Sequence, residues 1–236
     1  MDLGLTGRVA VVTAASKGLG RASAQALAAE GARVVLNARS APALDELAAT
    51  LDDALVVPGD ITDPALPAHL VDAALDRWGR VDVVVANAGG PPTAAALEVT
   101  DEQVLAAVSA NMLASVRLAR AAVPHMREQR WGRVVFIASS SVRQPIRDLA
   151  LSNISRTALW AWTKTAAQDL AHDGITVNLA APGLHATDRL IERGVTGRTG
   201  DPADFGQAVA FLCSQQAAFI NGTALGVDGG DVAGLL

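Results

Sequence analysis

Arg8-Val-Ala-Val-Val-Thr13-Ala14-Ala15-Ser16-Lys17-Gly18-Leu19-Gly20 reads as an apolar strand that enters a glycine-bearing turn and opens directly into a helix. Val9, Val11, Val12 and Thr13 are β-branched, which suits a pleated, covered strand. The helical pattern then runs from Gly18 to Glu30 and stops at Gly31. Glycines in such a turn let backbone approach a pyrophosphate, whose charge is offset by free N–H groups at the helix start. Two glycines also suit an ordinary strand–helix connection, so the deciding information lies in the rest of the chain.

Working outward, short β-branched runs alternate with longer alanine-rich stretches of helical period. Further strands are expected at Arg33–Asn37, Ala54–Val57, Val81–Ala86, Arg133–Ala138, Ile175–Leu179 and Ala224–Val227. Helices are expected at Ala41–Leu51, Pro64–Trp78, Asp101 to about Glu128, Leu151–His172 and Pro202–Ser214. Pro67 falls in a first turn, where proline is tolerated; Thr100 is placed to cap its helix, and Pro124 should loosen the last turns. Several strands are continuous apolar runs, the pattern of a sheet covered on both faces. The expected fold is α/β, a Rossmann-type doubly wound parallel sheet of about seven strands with helices on both faces. Without a linker or an internal repeat, residues 1–236 read as one domain. Such sheets bind ligands beyond the carboxyl ends of their strands, so the loops at 13–20, 37–41, 58–63, 86–93, 138–150 and 180–200 carry the site.

Composition agrees. Half of the 236 residues are hydrophobic and only 3% aromatic, with no tyrosine, so small side chains must do the packing. A net charge of −5 without a basic block argues against a nucleic-acid partner. One cysteine, Cys213, excludes a disulfide framework, and no metal site is expected. The start, Met1 to Arg8, lacks an apolar signal segment, and the longest uncharged run, Phe205 to Val227, is too broken by polar residues to span a membrane. A cytoplasmic protein is expected.

Other loops repeat the theme of the first. Asn87-Ala88-Gly89-Gly90 follows the fourth strand, and Asn178 to Thr187, with Pro182-Gly183-Leu-His185, follows the sixth. Gly59-Asp60-Ile61-Thr62-Asp63, Gly132 to Ser140 and Gly222 to Gly230 complete a set in a fixed order. Together these segments resemble the short-chain dehydrogenase/reductase family over essentially the whole chain, 3-oxoacyl reductases above all. The resemblance implies a nicotinamide dinucleotide across the strand ends. Thr13 and Ser16, Lys17, Gly18, Leu19 and Gly20 would hold the pyrophosphate, and Asp60 with Ile61 would touch the adenine. Asn87, Ala88 and Gly89 would border the ribose and nicotinamide. Pro182, Gly183, His185 and Thr187 would lie by the carboxamide and phosphates. Ala14 replaces the family's first glycine, which should reshape the turn slightly, since alanine resists positive φ.

Cofactor choice turns on Leu36-Asn37-Ala38-Arg39-Ser40. An NAD site places a carboxylate here; Ala38 has none, and Arg39 with Lys17 suits a 2′-phosphate, so NADP(H) is expected. In the family, Asn, Ser and a Tyr-x-x-x-Lys pair carry the chemistry. Asn111 and Ser139 match, but the dyad falls on Ser152 and Arg156. Serine is far less acidic than phenol, and arginine holds its proton. Arg156 can still bind ribose hydroxyls, and Ser152 can still donate a hydrogen bond. Trp160-x-x-x-Lys164 has the spacing two turns too late and reads as a packing tryptophan with a surface lysine. His185 can act as an acid near the nicotinamide or serve a structural hydrogen bond, and the second use is favoured. Arg143 and Arg147 face the pocket by analogy, to hold an anion or as solvated loop charges. Only 12 residues separate Thr187 from Gly200, a short lid.

The expected function is an NADP(H)-dependent oxidoreductase acting on a small carbonyl or hydroxyl compound; the rival is a non-catalytic nucleotide-binding protein. Apolar residues around two helices, such as Val104, Ala107, Val108, Leu159 and Trp162, imply a homotetramer or dimer, with the tail from Val227 to Leu236 at another interface.

Overall fold

The computed structural model describes residues 1–192, 194 and 196–234. Its strands are β1 (Val9–Val12), β2 (Arg33–Leu36), β3 (Ala54–Val56), β4 (Val83–Ala86), β5 (Gly132–Ile137), β6 (Ile175–Pro182) and β7 (Ala224–Val227). Between them lie α1 (Gly18–Ala29), α2 (Ala41–Ala48), α3 (Leu66–Trp78), α4 (Asp101–Val108), α5 (Ala114–Gln129), α6 (Ala150–Leu170), α7 (Asp188–Glu192) and α8 (Pro202–Leu212). The seven strands form one sheet in the order β3-β2-β1-β4-β5-β6-β7, every pairing parallel. The order reverses direction between β1 and β4, and a crevice opens there at the carboxyl ends.

Alternation along each strand divides the core in two. Val9, Val11, Val84, Val134 and Phe136 enter the layer under α3, α5 and α6; Ala10, Val12, Val83, Val85, Val135 and Ile137 enter the layer under α1, α2 and α8. Both faces are covered, so the strands are mostly apolar, with Arg133, Thr176 and Asn178 as buried polar exceptions. Each fully buried valine contributes roughly 1.5–3 kcal/mol.

Thr100 caps α4 as expected: its hydroxyl accepts from Gln103 N and the Gln103 side chain accepts from Thr100 N. The irregularity expected at Pro124 lies elsewhere. Pro124 sits inside α5, which stays helical to Gln129, whereas Ser109–Leu113 forms a single π turn between α4 and α5. Two short elements escaped the sequence reading, a 3-10 turn at Ser140–Val142 and α7 within the short lid.

By length and composition the 101–129 helix is apolar enough to cross a membrane. In the fold it lies along the sheet, with Ala114, Leu118, Ala122 and Met126 buried. Of the residues expected to need a partner, Ala107 and Leu159 are already covered, and Trp162 packs edge-on against Phe136. The exposed apolar side chains here are Leu105 (68% exposed), Leu113 and Ile154. Of the expected interface tail, Leu235 and Leu236 lie outside the described residues.

Candidate active site

The glycine turn is braced from behind. Thr13 Oγ1 donates to Asn87 O (2.7 Å) and accepts from Asn87 N (2.8 Å), lacing the end of β1 to the end of β4. Ala14 takes φ +48°, the left-handed conformation a glycine would adopt freely. The alanine thus adopts the conformation it resists, and the strain sits in Ala14. Gly20 is required outright: a β-carbon there would stand 2.3 Å from Ala14 O and 2.8 Å from the Asn87 amide nitrogen. Gly18, at φ +58°, faces the Thr187 methyl, so the loop after β6 closes over the turn.

Ser16, Gly18 and Leu19 are half-buried and Lys17 is exposed at the start of α1. A cleft of about 530 Å³ runs from here between α1 and α8, lined by Lys17, Gly18, Arg21, Thr187, Asp188 and Asp201. At the β2 end Ala38 is buried and Arg39 exposed. Asp60 Oδ1 accepts from Thr62 N (2.9 Å) and Thr62 Oγ1 (2.8 Å). These bonds, with a smaller contribution from the Arg39 charge, hold the Asp60 carboxyl below its ordinary pKa. Ile61 is partly buried against the core. Asn37, not singled out from sequence, is fully enclosed. Its side-chain amide donates to Val57 O (3.0 Å) and Gly59 O (3.3 Å), and its backbone carbonyl accepts from Ala15 N (2.9 Å). It straps the 57–59 loop to the glycine turn. A polar residue ending an apolar strand was the available signal.

Asn87 and Ala88 are half-buried, and Gly89 is exposed with open space on its side-chain side. Pro182 ends β6, and Gly183 packs on Asp228, where a β-carbon would come within 2.8 Å.

The catalytic candidates converge on α6. The π turn bearing Asn111 and the 3-10 turn opened by Ser139 both pack against it. Asn111 is buried; its Nδ2 donates to Ala107 O (3.2 Å), while its Oδ1 has no protein partner among the described residues. Ser139 Oγ accepts from Ser141 N (3.1 Å). Ser152 and Arg156 are both 8% exposed on α6. Arg156 Nη1 donates to Ile137 O (3.1 Å) and to Ala138 O, the two carbonyls that precede Ser139. A buried cation is thus fixed behind the end of β5.

Two expected neighbours of the pocket are turned to other uses. His185 is buried edge-to-face on Phe205, 5.2 Å between ring centres, with Nδ1 3.3 Å from Gly183 O and Gly200 against its other edge. This is the structural use. Arg143 Nη2 donates to Ala224 O (2.7 Å) and ties the 140–143 turn to β7, and Arg147 is exposed. Trp160 is partly buried against the core. Among the described residues no cluster of metal-ligating side chains occurs.

A family model described as enoyl-(acyl carrier protein) reductase matches residues 13–231. Dehydrogenase/reductase SDR family member 4 of Homo sapiens is 34% identical over 244 residues, 96% of this chain and 88% of that protein. The chain belongs to the short-chain dehydrogenase/reductase family. As a short-chain dehydrogenase/reductase it is an oxidoreductase by descent. It is also 32% identical over 238 residues to the 3-oxoacyl-[acyl-carrier-protein] reductase of Escherichia coli (strain K12), covering 95% of this chain and 97% of that one. L-Sorbose reductase from Gluconobacter frateurii, solved with NADPH and L-sorbose, superposes with a TM-score of 0.94 at 32% identity, covering both chains completely.

Proposed function

We propose that residues 1–236 form one domain of an NADP(H)-dependent oxidoreductase acting on a small carbonyl or hydroxyl compound, a cytoplasmic homo-oligomer with Ser152 and Arg156 at the catalytic dyad positions. The observation that carries this reading is the cradle at Gly18 and Gly20, where a β-carbon on Gly20 would collide with Ala14 and Asn87 and where Gly18 takes the left-handed φ of +58°. The residues present fit a dinucleotide. Ser16 to Gly20 and Thr187 would hold the pyrophosphate, Asp60 and Ile61 the adenine, and Asn87 to Gly89 the ribose. Pro182 and Gly183 would border the nicotinamide. Arg39 would take a 2′-phosphate, Ala38 offering no carboxylate to repel it. When bound, the dinucleotide supplies hydride.

The chain's own groups orient and polarise. Ser139 and Ser152 donate hydrogen bonds to the substrate oxygen. Arg156 supplies fixed positive charge from its seat on Ile137 O and Ala138 O. Asn111, on the π turn packed against α6, keeps a side-chain carbonyl oxygen without a protein partner among the described residues. L-Sorbose reductase, solved with NADPH, and the 3-oxoacyl reductase support the reaction class.

The anchoring of Arg156 also favours a second reading, a nucleotide-binding protein without turnover, because a guanidinium spent on backbone carbonyls contributes less to ribose binding. Calorimetric titration with NADPH, followed by NADPH oxidation over a panel of carbonyl compounds, separates the two. Binding with turnover supports the enzyme, binding without turnover the second reading, and no binding overturns both.

A further inference from the structure

Resting on that reading, we propose that Asn37 is a positioning residue for the cofactor: it sets the gap between the glycine turn and the Asp60 loop, and through that gap the affinity for the adenosine end of either dinucleotide. Asn37 follows the apolar end of β2 and is 1% exposed, nearly as enclosed as Val35 and Leu36 before it. A buried amide is unfavourable unless it is bonded, so its partners define its use.

Those partners lie on both neighbouring strands. Toward β1, the backbone N–H of Asn37 donates to Val12 O (3.0 Å), and its backbone carbonyl accepts from Ala15 N (2.9 Å) inside the glycine turn. Toward β3, its side-chain amide donates to Val57 O (3.0 Å) and Gly59 O (3.3 Å), on either side of Pro58. β3 is an edge strand of three residues, paired with β2 alone. Beyond Val56 the chain leans on β2 through Val57 N to Leu36 O and Gly59 N to Ala38 O, both 3.0 Å, and Pro58 has no N–H to add. The Asn37 amide takes up the carbonyls of the same two residues.

One side chain and its own backbone thus hold the ends of β1, β2 and β3 at a fixed spacing. The segment pinned on one side leads straight into Asp60 and Ile61, and β2 leads into Ala38 and Arg39. The Arg39 charge reaches the Asp60 carboxyl across the gap. A ligand that must first order a loop binds roughly five- to thirtyfold more weakly for each residue left free. A gap held ready in the free protein avoids that loss. Asn37 has almost no surface of its own to offer a ligand, so it acts through the backbone it holds. It therefore governs affinity for both cofactors alike, whereas Arg39 governs the preference between them.

Asn178 supplies a matched control. It is fully buried on β6, with Nδ2 donating to Ile220 O (2.7 Å) and Oδ1 accepting from Thr223 N (3.1 Å), but those partners precede β7 at its amino end. Calorimetric titrations with NADPH, NADH and 2′,5′-ADP are made on each variant at a temperature where it is folded. Asn37→Leu, similar in size and without a donor, should raise Kd roughly tenfold for all three ligands and leave the NADPH-to-NADH ratio as it is. Asn37→Thr, which keeps one donor, should raise Kd less. Asn178→Ser should lower the melting temperature and leave all three Kd values in place. Unchanged binding in Asn37→Leu, a changed NADPH-to-NADH ratio, or equal weakening by Asn178→Ser overturns the proposal. A second readout uses the natural protein and needs no variant to fold. The magnetic resonance signal of the Asn37 side-chain amide should shift on titration with 2′,5′-ADP and stay in place with nicotinamide mononucleotide. A signal unmoved by 2′,5′-ADP, or moved as far by nicotinamide mononucleotide, overturns the proposal. Natural protein that binds neither NADPH nor 2′,5′-ADP instead overturns the cofactor reading beneath it.

Discussion

Thr13 and Asn87 exchange two hydrogen bonds, the hydroxyl of one serving as donor to the backbone carbonyl and acceptor for the backbone N–H of the other. They join β1 to β4 at the point where the sheet reverses its order. Thr13→Val keeps the shape and removes both bonds, leaving a backbone N–H and C=O unpaired. The expected loss is about 1–3 kcal/mol of stability, with weaker NADPH binding, and Thr13→Ser should retain most of both. Thermal unfolding and calorimetry measure this; an unchanged melting temperature in Thr13→Val would sink the bracing role.

Ala14→Gly should relieve the left-handed strain at φ +48°. A non-glycine residue pays about 1–2 kcal/mol there, partly offset by the roughly 0.5–1 kcal/mol of extra chain entropy glycine loses on folding. Slight stabilisation with undiminished NADPH binding is expected. Destabilisation by more than about 1 kcal/mol would show that the alanine methyl packs usefully.

NADPH should bind more tightly than NADH. Arg39→Ala should cut that preference about ten- to a hundredfold, as loss of a charge-assisted hydrogen bond of about 1.5–3 kcal/mol implies. Titration of both cofactors decides it, and a preference unmoved by the substitution counts against Arg39.

Burial pushes the Cys213 thiol from near 9 up to about 12. At pH 8 only about one molecule in ten thousand carries the native thiolate, so a disulfide reagent should label it only after denaturation. The sign for stability follows. The folded state holds the proton that the unfolded state releases, so this contribution is complete below about pH 9 and is lost as pH rises toward 12. Rapid labelling of the native protein would contradict the burial.

Leu105, Leu113 and Ile154 leave an apolar face on α4, the π turn and α6. A dimer or tetramer is expected by light scattering, and Leu105→Asp with Ile154→Asp should reduce its mass. A species of 24.1 kDa at micromolar concentration would refute the assembly.

The sheet was legible because its central strands are buried on both faces and several helices are punctuated by a cap, a glycine or a proline. The loops at the strand ends were legible from Gly18, Gly20, Asn87 and Pro182 for the same local reason. What the sequence hid is what depends on contacts across the fold. The structural use favoured for His185 could be read, but not its partners Phe205 and Gly200, and neither reading left open for Arg143, anion hook or solvated charge, foresaw its bond to Ala224 O. Arg156 could be placed by spacing, but not its grip on the β5 carbonyls. Pro124 was a reasonable suspect for the break in the long helix, yet the break falls at Ser109–Leu113, where no residue type announces it.

That π turn separates the history of the site from that of the core. A wide turn accommodates one more residue than an α turn, whereas in regular helix each residue carries about 100° of rotation. Deleting one of Ser109 to Leu113 would restore an ordinary α turn and leave Leu118, Ala122 and Met126 on the sheet, while shifting Asn111 from its place. Homologous chains one residue shorter within these five should therefore keep the apolar face from 114 to 129. A deletion within 114 to 129 would instead turn everything beyond it by that angle and redraw the interior.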